Sequence, residues 1–95
     1  MLKIHRAEDR ATKKAPEDRF TGDVFQDEVL VGTAPSRMRA TNVTFNPGAR
    51  TAWHLHPVGQ TLWAVAGVGR VQVEGGPIEE LRPGDTAIIP PNARH

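Results

Sequence analysis

Residues 45–62 read FNPGARTAWHLHPVGQTL and residues 81–95 read LRPGDTAIIPPNARH. In the first stretch, Asn46-Pro47-Gly48 is a turn, because proline presets φ and glycine supplies a positive φ. His54 and His56 follow, two residues apart, and the spacing predicts a short strand over 51–56. Side chains at i and i+2 of a strand leave the same face, so the two imidazoles can share one metal ion. Gln60 comes four residues later, past Pro57-Val58-Gly59, where its amide oxygen can reach the same point. In the second stretch, Pro83-Gly84-Asp85 turns the chain into an apolar strand at 86–89, which Pro90-Pro91 stops. His95 then stands beside a strand that, in a closed barrel, pairs close to His54 and His56.

The same period-two rhythm extends back through the chain. Strands are expected at 24–25, 29–31 and 38–45 (MRATNVTF), and at 61–65, 70–74 and 78–81. TLWAV at 61–65 is almost wholly apolar and is expected to be buried on both faces; Val71 and Val73 share one face. Short strands separated by Gly and Pro turns specify an all-β sandwich or barrel. No stretch of ten or more residues carries the 3.6-residue helical period. The first 19 residues are charged and small, with Leu2 and Ile4 the only large aliphatic side chains after Met1. They are expected to form a strand at 2–5 and then a solvated loop through Pro16, an arm able to cross onto a partner. The expected organisation is therefore an arm at 1–19 and a β-domain at 20–95.

The whole chain has 95 residues, enough for one domain with a thin core, since a chain of this size buries about 60–65% of its unfolded surface. It contains no cysteine, which removes disulfides, thiolate ligands and cysteine nucleophiles. Its formal net charge is +1, with six basic and four acidic residues in 1–19 and six basic and seven acidic in the rest. No basic stripe follows a phosphate backbone, so nucleic acid is not an expected partner. No apolar run is long enough to span a bilayer. The opening MLKIHRAEDR has no signal-peptide core, so a cytoplasmic protein is expected, without a membrane partner.

The spacing G-x5-H-x-H-x3-Q-x6-G, set by Gly48, His54, His56, Gln60 and Gly67, and the downstream Pro-Gly-Asp turn, apolar strand, proline and His95 together resemble the two motifs of the cupin superfamily. The resemblance spans residues 47–95 and implies a jelly-roll β-barrel, with strands beyond those in this chain to close it. Within that superfamily, glutamine at position 60, where most metal-binding cupins carry glutamate, is similar to the small bacterial hydroxynitrile lyase-type cupins. That resemblance implies a divalent ion, usually Mn²⁺, held by His54, His56, Gln60 and His95. The donors themselves suit Mn²⁺, Fe²⁺, Ni²⁺ or Zn²⁺ equally. It implies a small hydroxy or carbonyl substrate, cleaved or formed as a cyanohydrin. A further histidine acting on the substrate belongs to the family's later strands. An iron-dependent dioxygenase-like cupin and a non-catalytic small-molecule-binding cupin are the alternatives. Thr51 is a candidate catalytic hydroxyl if the backbone bends at the motif. Val43, Phe45, Leu62, Trp63 and Ile88 are candidate pocket walls, Arg94 a candidate anion contact, and His5 a surface residue. A thin core with open sheet edges is expected to be completed in a homodimer or homotetramer.

Overall fold

Alternating β-branched residues over 39–45 find their partner in the run VFQDEVLV, and the two form the longest ladder of the protein. The computed structural model describes all 95 residues, which divide into two compact units, Met1–Ala52 and Trp53–His95. In the first unit, β1 (Thr12–Lys14), β3 (Val24–Val31) and β4 (Arg39–Phe45) form an antiparallel sheet in the order β1-β3-β4. The β3–β4 register runs from Val24 opposite Phe45 to Val31 opposite Arg39, and it slips at Val29, between Glu28 and Leu30. One extra residue on β3 is a β-bulge, which joins into one strand the two segments expected at 24–25 and 29–31. β2 (Phe20–Thr21) pairs with β5 (Arg50–Thr51), and the Asn46–Ala49 turn precedes β5, closed by Ala49 N–H on the Asn46 carbonyl at 2.9 Å.

The N-terminal segment differs from its expectation. Residues 2–5 form no strand, and Leu2 is 83% exposed. Two apolar side chains separated by lysine do not supply an apolar face large enough to dock. Instead, the charged triplet Thr12-Lys13-Lys14, expected as loop, forms the edge strand β1 against β3. Backbone pairing carries it, together with a hydrogen bond from the Thr12 hydroxyl to Asp27. Two lysines on an outer strand keep that edge solvated and discourage further strand addition.

The second unit is built from two antiparallel pairs. β6 (Gln60–Trp63) pairs with β9 (Thr86–Ile89), and β7 (Gly69–Gln72) pairs with β8 (Ile78–Leu81). The β6–β9 register puts Gln60 opposite Ile89 and Leu62 opposite Ala87 on one face. Thr61 opposite Ile88 and Trp63 opposite Thr86 make up the other. Only the first of these faces is covered. Ile89 is buried, whereas Trp63 is 69% and Ile88 79% exposed. The expectation that 61–65 is buried on both faces is therefore corrected: alternation along a sheet covered on one side leaves the apolar Trp63 outside. The Pro83-Gly84-Asp85 turn is as expected. Asp85 N–H donates to the Arg82 carbonyl, the Asp85 carboxylate accepts the Arg82 N–H at 2.8 Å, and Gly84 occupies the left-handed position at φ 93°. Gly84 N–H then donates to Ala64, tying this turn to the end of β6. No helix is long and apolar enough to cross a membrane.

The few fully buried side chains carry the packing. Val24 is 1% exposed, and Val24→Ala is expected to lower stability by about 2 kcal/mol, the lost burial of its methyls plus a small cavity. Ile88→Ala is expected to stay within about 0.5 kcal/mol of the wild type. Urea unfolding of both variants checks the pair; equal losses would contradict this assignment of core and surface.

Candidate metal centre

Two loops of the second unit build the cluster, one carrying His54 and His56, the other His95. The first lies between β5 and β6, and the expected strand over 51–56 ends at Thr51. His54 and His56 are thus held outside any ladder. Their anchor is His95. His54 N–H donates to the His95 carbonyl at 3.0 Å, and His95 N–H donates back to the His54 carbonyl at 2.8 Å. This reciprocal exchange is that of a hydrogen-bonded antiparallel residue pair, reduced to a single rung. One turn further, Asn92 N–H donates to the His56 carbonyl at 2.8 Å, and Gly59 N–H approaches the same carbonyl at 3.3 Å. Gly59 has φ 84°, and a Cβ there would sit 2.8 Å from the Ile89 carbonyl oxygen. Glycine lets the loop press directly on the end of β9.

The side chains converge accordingly. One ring nitrogen from each of His54, His56 and His95 lies within 4.8 Å of the others. Ring centroids are 4.3 Å apart for His54 and His95, 5.0 Å for His54 and His56, and 5.5 Å for His56 and His95. His95 is buried at 9% exposure, and its Nδ1–H donates to the Ala93 carbonyl at 2.9 Å. Its other nitrogen, Nε2, faces Oε1 of Gln60 at 2.9 Å. The 2.9 Å between Nε2 of His95 and Oε1 of Gln60 is close to the spacing of adjacent ligands on an octahedral ion, about 3.0 Å for bonds of about 2.1 Å. Nε2 of His56 is buried with no hydrogen-bond partner. A polar atom in that state calls for a ligand or an ion. These donors fit a divalent metal.

Burial lowers the His56 pKa below its ordinary value of 6.5, and the neighbouring charges of His54 and His95 lower it further; the Gln60 amide opposes the shift in part. That amide touches His56 without giving its Nε2 a hydrogen bond of good geometry. The effect favours the neutral imidazole, the form that binds metal.

The other expected site residues sit as follows. Thr51 is on β5 in the first unit, half-buried and paired with Phe20. Val43 and Phe45 are also in the first unit, on β4. Leu62 is half-buried on the covered face of β6. Arg94 is engaged: its guanidinium contacts the Glu74 carboxylate at 3.2 Å and lies 5.6 Å over the Trp53 ring. Since Trp53 and Arg94 immediately precede His54 and His95, this contact closes the same two loops from outside. Val71, Val73, Pro77, Ala87, Ile88 and Ile89 line an open, largely apolar recess of about 190 Å³, so of the expected pocket walls Ile88 alone borders it. Gly59 falls in the expected Pro57-Val58-Gly59 turn, whereas Asn92 is not among the expected site residues; its signal is an asparagine directly after Pro90-Pro91, the mark of a turn.

Residues 41–95 match the family described as cupin domain. The chain belongs to the cupin family. This cupin is 46% identical to "(R)-mandelonitrile lyase" of Granulicella tundricola over 94 residues, covering 99% of this chain and 72% of that protein. It superposes on the crystal structure of a cupin-like protein from Thermotoga maritima with a TM-score of 0.81 and 37% identity, covering 96% of this chain and 68% of the other. The all-β jelly-roll class expected from the motifs is therefore the fold of this cupin.

The lowered His56 pKa sets a pH dependence. The folded protein binds this proton more weakly than the unfolded chain, so the associated stability is fully present above 6.5 and is lost as pH falls through the lower folded value. The metal-free protein is expected to lose urea resistance as pH falls below about 6.5, and His56→Gln to lose less over the same range. Equal slopes for the two proteins would contradict the shift.

Proposed function

We propose that this cupin is a metal-dependent lyase that cleaves or forms cyanohydrins, or acts on a closely related small hydroxy or carbonyl compound. The observation that carries the reading is the convergence of three imidazoles within 4.8 Å around a buried, partnerless His56 Nε2. The printed name of the Granulicella tundricola relative supports the choice of chemistry. In this reading His54, His56 and His95 donate ring nitrogens and Gln60 its amide oxygen to one divalent ion, Mn²⁺ in our proposal. Such an ion supplies Lewis acidity to a hydroxyl or carbonyl oxygen of the substrate.

The chain's own residues set the charge and the direction of the site. All four donors are neutral, so none of the ion's positive charge is cancelled by the protein. His95 keeps its lone pair aimed at the site because Ala93 holds its other proton. For a cyanohydrin, the hydroxyl proton passes to a base, the oxygen lone pair becomes the carbonyl π bond, and the C–C bond to the nitrile breaks. Cyanide leaves and takes up a proton. Electrons balance without an oxidant, and the reverse sequence forms the cyanohydrin. The uncovered apolar face bearing Trp63 and Ile88 supports a second copy of this chain as partner. Light scattering at micromolar concentration is expected to report a dimer or tetramer, and a stable monomer would contradict that.

Gln60→Glu tests the role of the neutral donors. A carboxylate lowers the net charge of the site by one, so the ion should bind more tightly while the substrate hydroxyl becomes less acidic. A rise of one to two pKa units in that hydroxyl slows mandelonitrile cleavage by about ten- to hundredfold. His56→Ala is expected to abolish stoichiometric metal uptake. A Gln60→Glu protein with unchanged affinity and unchanged rate would remove Gln60 from the donor set.

A further inference from the structure

The turn that precedes His95 is built around a residue in an unusual conformation. Pro90 and Pro91 have no N–H, so the first backbone donor after β9 belongs to Asn92. Asn92 has φ 62°, the only non-glycine residue in the left-handed region. Ala93 N–H donates to the Pro90 carbonyl at 3.2 Å. Proline at the second position and a left-handed residue at the third make the pattern of a type II turn. Most residues avoid that region; asparagine enters it several-fold more often than others, and β-branched residues almost never do.

This one backbone conformation has three consequences at the cluster. It directs the Asn92 N–H onto the His56 carbonyl at 2.8 Å. It directs the Ala93 carbonyl onto Nδ1–H of His95 at 2.9 Å, which fixes the tautomer and turns Nε2 toward Gln60. It also delivers His95 to its reciprocal backbone pair with His54. All three imidazoles are thereby referred to one turn. The Asn92 side chain itself is exposed, so its backbone conformation is what acts.

We infer that Asn92 is a positioning residue for the His54–His56–His95 centre, acting through its left-handed backbone to set the His95 tautomer and the placement of His56. The inference rests on the metal-site reading for its effect on affinity, but its effect on the tautomer stands apart from any metal. A backbone carbonyl that fixes a ligand imidazole from behind typically changes metal affinity by ten- to a hundredfold when lost.

Three variants separate the roles: Asn92→Gly, which enters the left-handed region freely, Asn92→Ala, which enters it reluctantly, and Asn92→Val, which resists it. Co²⁺ affinity and the visible spectrum of the Co²⁺ protein are measured for each, with urea midpoints to establish folding. ¹⁵N shifts of the His95 ring are recorded without metal at about pH 8, where imidazoles are neutral. Asn92→Gly is expected to keep affinity within about threefold and to keep the Nδ1–H tautomer. Asn92→Val, or Asn92→Ala should the valine protein not fold, is expected to lose about tenfold or more in affinity, shift the Co²⁺ spectrum and show mixed tautomers. Unchanged tautomer and spectrum in the alanine and valine proteins would overturn the inference. So would an Asn92→Gly protein as impaired as they are, which would assign the effect to the side chain. A wild type that binds no Co²⁺ would defeat the metal-site reading, while the ¹⁵N shifts would still decide the role of Asn92.

Discussion

The reciprocal pair of backbone hydrogen bonds between His54 and His95 is the constraint on which the site depends. Forty-one positions separate the two residues, and neither lies in an assigned strand. Yet each donates to the other's carbonyl, at 3.0 and 2.8 Å. Closing so long a span costs chain entropy that only the intervening ladders, β6 with β9 and β7 with β8, can offset. The strands serve here as a frame, and the rung between the loops is what the frame delivers. Around it, Asn92 on His56, Gly59 against Ile89, and Arg94 across Glu74 and Trp53 each tighten the same closure.

Function follows from what this closure leaves unsatisfied. Backbone groups of the two loops find partners, but the imidazole Nε2 of His56 does not, and Nε2 of His95 lies 2.9 Å from Oε1 of Gln60. A folded protein normally avoids a buried polar atom without a partner. Together with His54, these two histidines make a donor set that could hold a cation. Glutamine at position 60 sharpens the point. It completes a donor set without adding charge, so the ion would keep its polarising power over a substrate oxygen.

The sequence was legible where turns and short spacings set local geometry. Asn46-Pro47-Gly48 and Pro83-Gly84-Asp85 encode their turns directly, because proline and glycine each fix a φ value. The strands at 78–81 and 86–89 appear as expected. His54 and His56 do come together, although not by the alternation of a strand: the structure uses a loop pinned at its two histidines. Tertiary hydrogen bonds of that kind leave no periodic trace. The edge strand β1 was illegible for a related reason. Thr-Lys-Lys has no apolar pattern, and pairing with β3 alone makes it a strand. Trp63 failed in the opposite sense, since an apolar run does not disclose which face of a sheet will be covered. Asn92 could have been found from its place after two prolines, but its orientation toward His56 could not.

The central claim is that three imidazoles and one amide oxygen of this chain hold a single divalent ion. X-ray absorption at the manganese edge, on protein loaded with one equivalent of Mn²⁺, addresses it most directly. The account predicts a shell of nitrogen and oxygen atoms with the outer-shell scattering of about three imidazole rings, diminished by one ring in a His95→Ala protein. A spectrum of oxygen ligands without imidazole scattering, or one unchanged by His95→Ala, would contradict it.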